Sequence, residues 1–309
     1  MKIATIIVTF NGEQWIDQCL LSLEQSTIPV DCIIVDNGST DNTLSLIAKH
    51  PSLTLFRTDC NLGFGQANNL ALNYVLSQGY THILLLNQDA WIANNMLEQL
   101  LAFDDGKSLL SPMHMRGDGT DLDRNFKMNS LAPVSLIRVD EYTPLTKKEI
   151  EALPETFTTR EIPAAIWFLP VTIVHEIGGF NPLFFHYAED INYLQRLQFF
   201  STPKRIVRDA IAYHCRENNP PKPLTEQRVY QEIILHLTNI NHSYLICLLH
   251  VIRYGLAMVH LSWQRCSITP LIFFFRATIS TLLKSARIQN SRWREKNTYC
   301  TWLTPQMNR

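Results

Sequence analysis

The feature that most constrains this chain is an alternation within its first 87 residues. The runs ATIIVTF (4–10), CIIVD (32–36), LTLFRT (53–58) and HILLLN (82–87) are short and apolar, with polar turn residues after each. Runs of this kind belong to strands buried on both faces. Between them, EQWIDQCLLSLEQS (13–26), TDNTLSLIAKH (40–50) and GQANNLALNYVLSQG (65–79) carry apolar residues at helical spacing. Strand and helix in strict alternation predict a mostly parallel sheet with helices on both faces, an α/β fold. Ligands of such sheets bind beyond the carboxyl ends of the strands. The polar residues fall there: Thr9 to Asn11, Asp36 to Ser39, and Asn87 to Asp89.

Residues 104–162 are more charged and broken by Gly, Asp and Pro, and read as a loop-rich insertion or lid; GDGTDLD (117–123) lacks the ligand register of a calcium loop. Regularity returns with AIWFLPVTIVHEIGGFN (165–181), and a helix is expected to start near Glu189. The prolines 220, 221 and 223 mark a boundary between a domain of residues 1–219 and a region of residues 220–309. Charge divides similarly. Residues 1–232 hold 18 Lys+Arg and 27 Asp+Glu (−9), whereas residues 233–309 hold 9 Lys+Arg and only Glu295 (+8).

The seven scattered cysteines include no C-x-x-C pair, which excludes a zinc knuckle and disfavours a disulfide framework. The apolar start, MKIATIIVTFNG, reads as a first strand rather than a signal peptide, and a cytosolic protein is expected.

Six motifs stand in order: TFN (9–11), VDNGSTDNT (35–43), NLGFGQANN (61–69), NQD (87–89), GGFN (178–181) and AED (188–190). Together they resemble bacterial family 2 glycosyltransferases of the GT-A fold, over roughly residues 1–215, and most of all rhamnosyltransferase-type members. The resemblance implies that Thr9, Phe10, Asn11 and Asp36 hold the base and ribose of a nucleotide-diphosphate sugar. It further implies that Gly63, Asn68 and Asn69 approach the nucleotide closely. Asn87, Gln88 and Asp89 fall where the family carries its metal-binding D-x-D motif, so Mg²⁺ or Mn²⁺ is the expected cofactor. With Asn87 in the first position, only Asp89 is an anionic ligand there, and weak binding of the metal follows.

Glu189 and Asp190 resemble the family's catalytic pair. Asp190 is the candidate base for an inverting transfer, and Glu189 orients the acceptor or caps the helix. Arg196 and Trp167 are candidates for the acceptor or its diphosphate. His214 is the candidate that completes the metal site, and His186 a lesser one. Each has a structural alternative: helix capping for Asp89, a helix-dipole interaction for the acidic pair, simple packing for His214.

In the C-terminal region Arg253, Arg265 and Arg276 interrupt the apolar sequence every eleven or twelve residues, a spacing that would align them on one face of a single helix. An amphipathic, basic region of this kind suits the inner face of the cytoplasmic membrane. A nucleic-acid partner is disfavoured, because the aromatics sit within aliphatic runs. The expected activity is transfer of a hexose or deoxyhexose, with rhamnose as one candidate, to a lipid-linked saccharide. The alternatives are a nucleotidyltransferase or a non-catalytic sugar-nucleotide-binding protein.

Overall fold

The computed structural model describes residues 1–50, 52–131, 143–159, 161–215 and 223–303. The first half follows the alternation. Strands β1 (Ile3–Thr9), β2 (Asp31–Asp36), β3 (Leu53–Arg57) and β4 (His82–Leu86) are parallel, in the order β3-β2-β1-β4. Helices Ile16–Glu24, Thr43–Ile47 and Phe64–Ser77 connect them. Alternate side chains divide between the two faces. Ile6, Ile33 and Ile83 enter one core with Ala71 and Val75, while Ile7, Ile34 and Leu84 enter the other with Ile16 and Leu20.

Beyond β4 the sheet becomes mixed. The further strands are β5 (Ala90–Ile92), β6 (Leu109–Arg116), β7 (Thr156–Thr158), β8 (Ile166–Pro170) and β9 (Lys204–His214). Among the described residues the path is β3-β2-β1-β4-β8-β6-β9-β5, with β7 on β9 and β8 antiparallel to both β4 and β6. Reading residues 104–162 as a loop-rich insertion is therefore wrong for β6, which lies within the sheet. Ser111, Pro112 and His114 hide the strand, because buried polar residues break the apolar pattern. The Ser111 hydroxyl is satisfied internally: it donates to the Ile166 carbonyl (2.9 Å) and lies 3.0 Å from His114 Nε2.

The expected boundary at residues 219 and 220 lies outside the described residues. Past it come helices Glu226–Thr238, Tyr244–Gln264, Thr269–Leu283 and Ser285–Asn297. The three arginines do not share a face of one helix. Cys266, with φ +46°, ends the first apolar helix, and Arg276 lies on the next, where it pairs with Glu226 (3.5 Å). Both apolar helices leave large side chains exposed, among them Leu256, Trp263, Phe275 and Leu283. The helix Tyr244–Gln264, with mean hydropathy 1.6 over its best window, is long and apolar enough to cross a membrane. Arg292, one of the cations of this basic C-terminal region, is buried and donates to the carbonyls of Leu237, Asn239 and His242.

The C-terminal segment is joined to the first domain beneath the loop Gly178–Asn181. Glu295 is buried 3.8 Å from Arg196 and accepts from Asn181 Nδ2 (2.7 Å), while Gly179 N donates to the Thr301 carbonyl (2.8 Å). A Cβ on Gly178 would fall 2.0 Å from that carbonyl oxygen, at a backbone φ of +89°. Only glycine fits there.

Candidate active site

The carboxyl ends of β1, β2 and β4 open into a cleft of about 1070 Å³, at the upper end of the range for a small-molecule site. Its lining takes Phe10, Asn37, Asn61 and Gly63 from the first strands and the loops after them, Asn87, Gln88 and Asp89 from the end of β4, and Glu161, Tyr187 and Asp190 from later segments.

Past the end of β2 the structure builds a network of amides. Asn37 Nδ2 donates to Asn61 Oδ1 (3.0 Å), and Asn37 Oδ1 accepts from Leu62 N (2.8 Å). Gly63, at φ +81°, lets that loop meet the far wall: a Cβ there would lie 1.8 Å from the Phe185 carbonyl oxygen. Several residues expected to touch a nucleotide brace this architecture instead. Thr9 is buried, and its hydroxyl donates to Gln88 Oε1 (2.6 Å), which also accepts from Phe10 N (3.0 Å). Asn11 ties β1 to the following loop, its N–H donating to Ser39 Oγ (2.9 Å) and its Oδ1 accepting from Thr40 N (2.9 Å). Asp36 is buried beneath Asn37 and accepts from Ser39 N (3.3 Å). Asn37, the next residue, is the one that lines the cleft.

Four assignments are corrected outright. Asn68 donates to the Phe64 carbonyl of its own helix (2.9 Å), and Asn69 clamps Phe180 by accepting from its N–H (2.7 Å) and donating to its carbonyl (2.8 Å). Both are buried away from the cleft, so neither reaches a nucleotide. Arg196 is completely buried and donates to the carbonyls of Ile177 and Gly179. Trp167 is also enclosed, donating to the Ile162 carbonyl (3.2 Å) and stacking near Phe180. Neither meets an acceptor or a diphosphate. For Asn69, Arg196 and Trp167 the cause is common: loops bury carbonyl and amide groups that need partners, and the nearest polar side chains supply them, whereas Asn68 serves the first turn of its own helix.

Asp89 and His214 meet because β5 pairs with the end of β9, with Ala90 opposite His214. His214 Nε2 lies 3.3 Å from Asp89 Oδ1, and its Nδ1 lies 3.6 Å from Asp123 Oδ2. Among the described residues no group of three or more His, Cys, Asp or Glu side chains is arranged to hold a metal ion. The Asp89–His214 pair nevertheless fits part of one. Adjacent ligands of a six-coordinate ion with bonds of about 2.1 Å stand roughly 3.0 Å apart. Asp89 and His214 would hold such an ion, which when bound would stabilise negative charge on a departing diphosphate. Asp123, on the lining, is a residue that GDGTDLD does not reveal: its spacing fits no calcium loop, and nothing local marks it otherwise.

Asp190 and Glu189 begin helix Glu189–Phe199, but their environments differ. Asp190 is partly exposed on the cleft lining and accepts from the Ile191 N–H (2.8 Å). Glu189 is buried close to Gly65, off the lining, and caps nothing. Burial, and secondarily the charge of Asp190, push its carboxyl up to about 8. At neutral pH it is largely protonated, so it neither takes a proton nor touches an acceptor. Two residues ahead of the pair, Tyr187 (φ +72°) and Ala188 (φ +70°), hold left-handed backbone that non-glycine residues rarely adopt. Gln231, on the helix Glu226–Thr238, donates to the His186 carbonyl and secures this turn.

The Glu189 shift has a consequence for stability. A carboxyl whose folded value lies near 8, against 4.5 unfolded, binds more protons in the folded state between those values. Stability should therefore fall as pH rises from about 4.5 to 8, and Glu189→Gln should flatten that decline. Urea midpoints of both proteins at pH 5 and pH 8 measure it; parallel declines would count against a protonated Glu189.

Comparison with known proteins places the chain. Residues 4–156 match the family model described as Glycosyl transferase family 2. An uncharacterized glycosyltransferase of Haemophilus influenzae is 36% identical over 106 residues, covering 33% of this chain and 41% of the relative. The O-antigen chain rhamnosyltransferase RfbN of Salmonella typhimurium is 33% identical over 97 residues, covering 31% of this chain and 30% of the relative. The teichoic acid poly(glycerol phosphate) polymerase of Staphylococcus epidermidis is 32% identical over 136 residues, covering 40% of this chain and 18% of the relative. The matches thus span less than half of each of these curated relatives. Among solved structures, S. aureus TarS 1-349 in complex with UDP-GlcNAc superposes with a TM-score of 0.55 at 18% identity, over 80% of this chain and 69% of that one. Mannosyltransferase PcManGT from Pyrobaculum calidifontis, in complex with GDP-Man and Mn2+, gives 0.55 at 16% identity, over 99% and 84%. With the parallel β3-β2-β1-β4 half-sheet, the cleft at its carboxyl edge and the family match, residues 4–156 form a glycosyl transferase family 2 domain, and the chain carries the GT-A fold.

Proposed function

We propose that this protein is an inverting glycosyltransferase that moves a hexose or deoxyhexose from a nucleotide-diphosphate sugar to a lipid-linked saccharide during cell-surface polysaccharide synthesis. The observation that carries the reading is that Asp89 and Asp190, 101 positions apart in the chain, line one cleft at the carboxyl edge of the parallel strands. In this reading the diphosphate lies by Asp89 and His214, and the nucleoside lies toward Asn37 and Asn61. Asp190 takes the acceptor's hydroxyl proton as that oxygen attacks the anomeric carbon, the bond to the diphosphate breaking on the opposite face. Rhamnose is the deoxyhexose that the Salmonella relative suggests as donor sugar. A nucleotidyltransferase is less well supported, because the turn after β1, Asn11-Gly12-Glu13, carries no cation for a triphosphate.

A thermal-shift panel of UDP-, dTDP- and GDP-sugars, with and without Mn²⁺, tests the reading. At least one donor should raise Tm, Mn²⁺ should enlarge the rise, and Asp89→Ala or His214→Ala should abolish only the Mn²⁺ increment. No response to any nucleotide sugar would overturn the reading.

The exposed side chains of the two apolar helices support a place at the inner face of the cytoplasmic membrane, with Lys284, Arg287 and Lys296 near anionic headgroups. Flotation with anionic vesicles should carry the full chain upward, and Leu256→Gln combined with Trp263→Gln should release most of it. Unchanged flotation of the double variant would refute anchoring through this face.

A further inference from the structure

The cleft wall around Phe185 and Tyr187 has a chemistry of its own, and any role given to this end of the lining rests on the transferase reading. Phe185 and Tyr187 stand there 47% and 42% exposed, unusual for aromatic side chains in a concave site. Glu161 and Asp190 contribute carboxylates to the same lining from separate segments, and Leu194 adds an apolar contact. Carboxylates only accept hydrogen bonds, so a ligand here must donate them. Exposed aromatic faces suit the C–H face of a sugar ring, which is apolar, while its hydroxyls project toward the acceptors.

We infer that this end is a subsite for an uncharged saccharide ring, seated on Phe185 and Tyr187 with its hydroxyls donating to Glu161, and that it excludes phosphate-bearing polyols. The electrostatics support the exclusion. Burial and the neighbouring Asp190 raise the Glu161 carboxyl, and burial and Glu161 raise that of Glu232 on the helix behind, so the three carboxylates feel one another. Further negative charge placed among them would be repelled. Arg228 lines the wall and donates to the Pro223 carbonyl (3.4 Å); His236, 3.6 Å from Glu232, is held toward its neutral form by burial and by His250, and Tyr254 also faces Glu232. The poly(glycerol phosphate) polymerase among the relatives is named for a polyanion. This site is built for something else.

Saturation-transfer NMR on the full chain tests the inference, using octyl glycosides of neutral hexoses and 6-deoxyhexoses, glycerol-phosphate oligomers, and UDP, dTDP and GDP in the same samples. At least one neutral glycoside should bind, and Glu161→Gln should weaken it by about ten-fold, the loss expected for a hydrogen bond to a charged group. Phe185→Ala should weaken it too, serving as a second variant on ordinary backbone, since Tyr187 holds a left-handed conformation. Glycerol-phosphate oligomers binding as tightly as the glycosides would overturn the inference. So would glycoside binding indifferent to both substitutions, or nucleotide binding with no glycoside binding. Glycosides that bind through Glu161 and Phe185 while no nucleotide binds would uphold the subsite and overturn the transferase reading instead.

Discussion

Asp190→Asn is expected to slow glycosyl transfer by about 10²–10⁴-fold, the range for removing a positioned general base. The substitution keeps the side chain's size and its hydrogen bond from the Ile191 N–H, so the helix start should persist. Nucleotide affinity should stay within about two-fold, because in the proposed arrangement Asp190 meets the acceptor while the nucleoside lies toward Asn37 and Asn61. Glu189 cannot take over the role: it is buried off the cleft and its carboxyl is held up at about 8. Steady-state rates with a responsive donor, beside nucleotide titration of both proteins, decide the matter. Transfer retained within about three-fold would remove Asp190 as the base.

The second large effect is on stability. Glu295→Ala should cost about 3–5 kcal/mol, the usual loss when one partner of a buried ion pair is removed. Burial pushes Glu295 up and Arg196 down despite their mutual attraction, so desolvation already outweighs the Coulomb gain at 3.8 Å. Taking away the carboxylate leaves a buried guanidinium supported by two carbonyls and the Tyr193 ring but by no counter-charge from Glu295, and frees Asn181 Nδ2 from one of its two acceptors. Replacing both charges, Arg196→Met with Glu295→Met, should recover much of the loss, because the pair's desolvation is then avoided. Urea unfolding of the three variants and the parent measures this. A cost below about 1 kcal/mol for Glu295→Ala would place the pair in a solvated setting.

Much of the architecture was legible because strands buried on both faces must be continuous apolar runs. Residues 4–10, 32–36 and 82–87 announce themselves in this way. Strand β6 did not, since LLSPMHMR satisfies its buried serine through a contact with a residue distant in sequence. The site was legible in the same uneven way. Asp89 and Asp190 stand at element ends, where the structure brings them into one cleft. Asn69 and Arg196 have the composition of ligand-binding residues but serve buried backbone, a distinction that only tertiary contacts make. Asn37 stands in the polar stretch 36–39 that the sequence already places at a strand end, whereas Asp123, Glu161 and Tyr187 carried no local signal beyond being polar or aromatic in a loop.

The Arg196–Glu295 contact also sets an order of events during synthesis. The chain between them is 99 residues long, so at about 5–20 residues per second the carboxylate emerges roughly 5–20 s after its partner. In that interval the Gly178–Asn181 loop lacks its lower support, while the apolar helix Tyr244–Gln264 has already been made. With the proposed place at the membrane, a nascent chain would meet the bilayer before its active site is complete, so that delivery to the surface and acquisition of activity would become successive steps of one maturation.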